Sequence, residues 1–354
     1  MKPMKPINSS LHHSFLRGMF MAICILSMNT SAFAEKIPGV AFDANFKPAE
    51  RANSMLKLVN SHGTGLGDIK RAAISSFQVQ FVTAGAASAS SYEIGKPGRA
   101  SVNSMIKLVG LEPTDFQAIT DQLHTHFMRV LSAMKIDVVP HDQVLAAQAY
   151  QKMAASGKPS PAETRTKDTW SSVYAPAGLA VYGVGSSSTA ISLLAGFTAM
   201  SDVMSTMSGN LELAKELDAN LITVRLVVNF VDTKSSDSSW FSRSSGEAKV
   251  SWEFGPSVAA GESMMSISSP TQNMTMTLQA PLLIDGSAFK EIKDTTSVAG
   301  NVGLALLSLA IGGGNSATAV SKDAIADPEK YRTHVSAGIG AVREMFMERL
   351  RVGK

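Results

Sequence analysis

Apolar and polar positions alternate along Phe77-Gln-Val-Gln-Phe-Val82, a two-residue period that predicts a half-buried strand. The small and polar stretch Ala84 to Ser91 reads as a loop. The period then changes. Phe116, Ile119, Leu123, Phe127, Val130, Leu131 and Met134 recur at three- and four-residue steps and predict one amphipathic helix over Thr114 to Met134. Pro113 precedes it, Thr114 can cap it, and Gln117 holds the capping-box position. Ile136-Asp-Val-Val139 predicts a short buried strand stopped by Pro140. His141 to Ala155 predicts a helix that ends at Gly157-Lys-Pro-Ser-Pro161.

In the second half, Leu211, Leu213, Ala214 and Leu217 mark a short helix, and Leu221 to Val231 is the strongest strand pattern in the chain. A Ser-rich turn region, Asp232 to Ser245, and a partner strand, Glu247 to Phe254, complete an antiparallel hairpin with a long tip. Met264 to Ser268 and Met274 to Leu278 alternate again. Val335, Ile339, Val342, Phe346 and Leu350 line one side of a closing helix, Tyr331 to Arg351. The expected fold is α/β or α+β: a single mixed sheet flanked by helices, with a hairpin and uncharged insertions rich in Gly, Ser and Ala. The expected organisation is a signal over 1–34, a lead-in over 35–75, a mixed domain over 76–290 with an uncharged insertion at 169–201, and a Gly-rich apolar segment with the last helix over 291–354. Asn53-Ser-Met-Leu-Lys-Leu-Val59 recurs almost unchanged as Asn103-Ser-Met-Ile-Lys-Leu-Val109. Two copies are too few for a solenoid, so the repeat carries no functional weight at this point.

The first residues have a different character. Lys2, Lys5 and Arg17 precede an apolar run, Gly18 to Met28, and Asn29-Thr-Ser-Ala-Phe-Ala34 follows with Ala32 and Ala34 in an A-x-A pattern. This is the plan of a cleavable export signal, with the mature chain beginning at Glu35. The apolar run is shorter than the roughly 20 residues a bilayer span needs. Cys24, the single cysteine, lies inside it, and Ile23 and Met21 do not fit a lipidation signal. The expected mature protein therefore has no disulfide, thiolate nucleophile or cysteine-bound zinc. The chain has 32 basic and 29 acidic residues, and removing Lys2, Lys5 and Arg17 leaves 29 against 29. No nucleic-acid partner is expected from so even a balance.

The segments Ile136-Asp-Val-Val-Pro-His-Asp-Gln-Val144 and Leu213-Ala-Lys-Glu-Leu-Asp-Ala-Asn-Leu-Ile-Thr-Val-Arg-Leu226 sit in the order strand, helix, then helix, Asp-Ala-Asn, strand. Over about residues 75–255 this order resembles the periplasmic domain of the curli-secretion channel family and its relatives, including the TolB N-terminal domain and penicillin-binding-protein activators. The resemblance implies a non-enzymatic building block of envelope assemblies. The chain departs from the channel proteins in lacking a lipobox, and 169–201 lacks the alternation of a membrane hairpin.

Catalytic and cofactor signatures give little. His124 and His126 are two apart on a helix and point in different directions, and no His-Glu-x-x-His spacing exists. Gly183-Val-Gly185 lacks the third glycine of a dinucleotide loop, and no Gly-x-Ser-x-Gly elbow occurs. No catalytic residue, metal ligand or cofactor is assigned. The candidate contact residues are apolar instead. Val181, Ile191, Leu193, Leu194 and Phe197 lie in the uncharged stretch 169–201, and Leu304, Leu306, Leu307, Leu309 and Ile311 in the uncharged stretch 297–314. Trp240 and Phe241 sit among serines at the hairpin tip. Uncharged apolar surface is costly to leave in water, so these residues point to an envelope protein partner, to self-association or to a membrane surface. The expected function is an exported, non-enzymatic assembly, scaffold or secretion-associated component, in the periplasm and associated with the outer membrane. The alternative is a soluble periplasmic or secreted small-molecule-binding protein or hydrolase with an unrecognised site.

Overall fold

The structure, a computed structural model, describes residues 38–62, 69–92, 99–166, 168–182, 209–235, 250–270, 273–296 and 316–352. From Gly39 onward they belong to one unit. Its elements run β1 (Val40–Ala41), α1 (Pro48–Met55), β2 (Leu56–His62), β3 (Arg71–Tyr92), β4 (Arg99–Val109), α2 (Pro113–Ala133) and β5 (Asp137–Val138). Then come α3 (His141–Ala146), α4 (Gln148–Ser156), β6 (Ala162–Arg165), β7 (Thr169–Tyr174), a helix α5 over 209–217, β8 (Asn220–Ser235) and β9 (Val250–Val258). The chain closes with β10 (Met264–Ser268), β11 (Asn273–Leu278), β12 (Leu282–Leu283), β13 (Phe289–Asp294), β14 (Ser316–Ala326) and α6 (Pro328–Val352).

All strands join one mixed sheet, which confirms the expected mixed α/β class. Its axis is the parallel pair β3 and β8, in register from Ala72 opposite Asn220 to Phe81 opposite Val228. β7 flanks β3 from Val79 to Gly85, and β6 flanks β7. On the other side β10, β11 and β2 flank β8 in turn, all antiparallel. Past Val82 and Val228 both long strands change neighbours. β3 pairs with β4, from Ala84 opposite Lys107 to Tyr92 opposite Arg99. β8 pairs with β9, from Val228 opposite Val258 to Ser235 opposite Val250. β14 runs parallel to β4, and β13 pairs with β14.

The alternation in Phe77-Gln-Val-Gln-Phe81 sets the helical layer. Phe77, Val79 and Phe81 are fully buried on one face. The Phe77 ring meets Phe127 of α2 at 5.7 Å, and Phe81 meets Phe116 at 4.7 Å. Tyr331 of α6 closes the cluster against Phe116. All five apolar residues expected on the last helix, Val335, Ile339, Val342, Phe346 and Leu350, are buried. The sheet's other face carries polar positions: Gln78 donates to Ser76 Oγ, and Gln80 donates to Ser171 Oγ and accepts from Arg225.

Three sequence expectations are corrected. Ala84 to Ser91 is strand, because β7 and β4 grip it from both sides at Ala84 and Gly85 and β4 pairs along the rest; pairing overrides the weak strand propensity of Ala and Gly. The helix expected over His141 to Ala155 breaks at Ala147, whose backbone is extended. Glu216 of α5 receives the amides released there, Gln148 N at 2.8 Å and Ala149 N at 2.9 Å. These bonds hold its carboxyl below the usual carboxylate range. Finally, α2 is capped by Glu112 and Asp115 in a reciprocal box, with Pro113 in its first turn, rather than by Thr114 and Gln117.

Candidate functional site: the strand-only end of the sheet

Where β3 and β8 part company, a second small core begins. Val82, Ile106, Val227, Phe230, Ala259 and Ala324 are buried together, with Val231, Trp252, Phe254 and Ile292 packed around them. No helical residue contributes. The β8–β9 hairpin lies against the β3–β4 hairpin here. Trp252 bridges them: its indole N–H donates to Ser104 Oγ at 2.7 Å, and its ring lies 3.7 Å from the position a Cβ would take on Gly85.

The strand directions then decide what lies at this end. β8 is parallel to β3. β4 is antiparallel to β3, β14 parallel to β4, and β13 antiparallel to β14, so β13 also runs with β3. The chain therefore leaves β3, β8 and β13 in the same direction, away from the helices. The connections that follow are 93–98, 236–249 and 297–315. Trp240 and Phe241 belong to the second of these, and Leu304, Leu306, Leu307, Leu309 and Ile311 to the third. β8 and β13 therefore end at the same end of the sheet, and the two candidate groups that follow them in sequence lie outside the described residues. β7 runs the other way, so the chain enters 183–208 from the helical end. Ile191, Leu193, Leu194 and Phe197 fall in that segment, also outside the described residues, and do not join the set. Val181 is described: it is buried in the main core and pairs with Lys158. Ala32, Ala34 and Glu35 lie outside the described residues.

The helical end holds two features that the sequence did not disclose. His124 of α2 and His141 of α3 meet with ring centres 5.9 Å apart. Burial beneath Phe77, reinforced by His141 and opposed by Asp121, pushes the His124 imidazole down to about 4. His141 contacts the Ala177 carbonyl through Nε2 at 2.9 Å. The sixteen positions between the two histidines contain no spacing signal; only the turn through β5 brings them together. The second feature is an open groove of about 800 Å³ between α2 and α6, lined by Phe42, Phe46, Gln122, His126, Arg332, Gly340 and Arg343 among others. Among the described residues no three His, Cys, Asp or Glu side chains are placed to share a metal ion, and no helix is long and apolar enough to cross a membrane.

No family model, curated protein or solved structure matches this chain.

Proposed function

We propose that the protein is an exported, non-enzymatic assembly component of a bacterial cell envelope, acting through protein or membrane contacts made at the strand-only end of its sheet. The observation that carries this reading is the common direction of β3, β8 and β13. Past the ends of β8 and β13 the sequence continues into the segments that hold Trp240-Phe241 and the uncharged 297–315 stretch. An end built from strands alone presents backbone that a partner can cover. The export-type N-terminus ending at Ala34 and the resemblance of 136–144 and 213–226 to envelope building blocks support the same reading.

The test is fractionation of the native protein from its own cells, with a carbonate wash. Retention in the envelope fraction, with an N-terminus at Glu35, is the expected result. A protein that keeps its first 34 residues and stays with the soluble cytoplasmic fraction would end the proposal.

A further inference from the structure

We propose that the groove between α2 and α6 binds a single-chain carboxylate amphiphile, a fatty acid, with its head on Arg343 and its tail along the valley towards Arg332. The site belongs to the helical layer and does not depend on the strand-only end being an assembly surface.

Both helices begin at one ion pair, Arg332 with Asp115 at 3.6 Å, and both line the groove, as far as His126 on α2 and Glu344 on α6. His126 stands eleven positions after Asp115, and Arg343 eleven after Arg332. At about 1.5 Å of rise per residue, both lie about 16 Å along their helices from the ion pair. The floor between these ends is apolar or small: Ile119 and Leu123 from α2, and Ala337, Ile339 and Gly340 from α6. Phe42 and Phe46, packed edge to face with ring centres 5.6 Å apart, add an aromatic wall.

The two arginines of the groove differ. Arg332 has Asp115 as its partner. Arg343 makes no hydrogen bond or ion pair among the described residues, and its Nε is buried without a partner. Burial strips water from this guanidinium and lowers its pKa, and Glu344 offsets only part of that. The side chain stays charged all the same. Glu344 follows it directly, and adjacent helix positions do not face each other. The other carboxylate lining the groove, Glu329, is fourteen positions away, about 21 Å along the helix. A desolvated cation without a partner costs free energy, and a carboxylate matches its planar fork. One unpaired cation beside Glu344 suits a single negative charge better than a phosphate dianion.

Gly340 marks the path of the tail. A Cβ there would meet nothing within 4 Å, whereas one on Gly338 would run into Ile284. Packing within the chain thus accounts for Gly338 but not for Gly340, which weakens the helix without an internal gain. A glycine there keeps the floor low beneath a chain lying over it. An alkyl tail fits this valley and a partner helix does not. A helix about 10 Å across and about 16 Å long would occupy about 1,250 Å³, and the groove holds about 800 Å³. That volume lies within the range of small-ligand sites.

The test is calorimetric titration of the mature chain with dodecanoate below its micelle concentration. A single molecule should bind per chain and raise the thermal melt. Dodecyltrimethylammonium, which has the same tail under a cation, and acetate, which has the head without the tail, should not bind. Arg343→Gln should weaken dodecanoate binding about tenfold. The free variant should melt no lower than the wild type, since it loses only an unpaired, desolvated charge. Gly340→Leu should fill the valley and abolish binding, again without lowering the melt of the free protein. Arg129→Gln, which removes an exposed cation of α2 outside the groove, should bind as the wild type does. Dodecanoate that does not bind, that binds both groove variants as tightly as the wild type, or that is matched by the cationic amphiphile would overturn the proposal.

Discussion

Along one strand, β3, the molecule changes its means of support. At Phe77, Val79 and Phe81 the side chains are large and sit beneath α2 and α6, in a core that draws on nearly every element. A few residues on, Ala84, Gly85, Ala86 and Ala87 are small, and the packing comes from another hairpin through Trp252. The first region spends its buried area on stability. The second leaves several positions half-exposed, among them Ser101, Val102, Met105, Leu108 and Val109 of β4 and Ala319 to Asp323 of β14. Regions with few buried contacts open at lower free-energy cost and are where partner surfaces tend to lie. The difference teaches where a fold can change without unfolding.

The largest expected effect falls in the helical core. Phe77→Ala removes a fully buried ring in contact with Phe127 and His124, and should cost about 3–5 kcal/mol in urea denaturation. A loss below about 1 kcal/mol would show that the helices contribute little there.

Acid should come next and act on the same core. Burial holds the His124 imidazole down to about 4 in the folded chain, against its ordinary 6.5 in the unfolded one. Between those values the unfolded chain holds the extra proton, so stability is complete above 6.5 and falls as pH drops towards 4. Allowing for the ring's partial exposure, the loss is roughly 1–2 kcal/mol. His124→Gln should flatten that part of the stability–pH curve, and an unchanged slope would remove His124 from the account.

A smaller and local effect is expected at the strand-only end. Ser104→Ala takes the acceptor from the Trp252 indole and should cost about 1 kcal/mol. Amides of β4 and β9 should then exchange about fivefold faster while those around Phe77 do not change. Uniform acceleration would merge the two regions into one cooperative unit. The smallest effect has the opposite sign. A Cβ at Gly85 would sit at ordinary contact distance from Ile106 and Trp252, so Gly85→Ala should stabilise by about 0.5 kcal/mol in the same denaturation assay.

Much of this was legible in the sequence because periodicity reports burial. The helix stripes at 116–131 and 335–350 and the alternation at 77–82 appear where they were expected. What local pattern could not carry is pairing. The near-identical heptapeptides make the point. Asn103 to Val109 is strand throughout, whereas Asn53 to Met55 ends α1 and only Leu56 to Val59 is strand. Pro48 starts a helix that runs through the first three residues of the earlier copy, and no such signal precedes the later one. The candidate contact residues were visible as two uncharged stretches and as an aromatic pair among serines. That β8 and β13, the strands before two of the three groups, end at the same end of the sheet depends on strand directions that only the fold reveals. The Trp252–Ser104 bridge was hidden for the same reason, since its partners are 148 residues apart.

The most direct measurement is the mass of the particle that the mature protein forms when released from its own cell envelope in mild detergent. The account predicts a defined multiple of the chain mass. A single chain, monodisperse and without a partner, would contradict it.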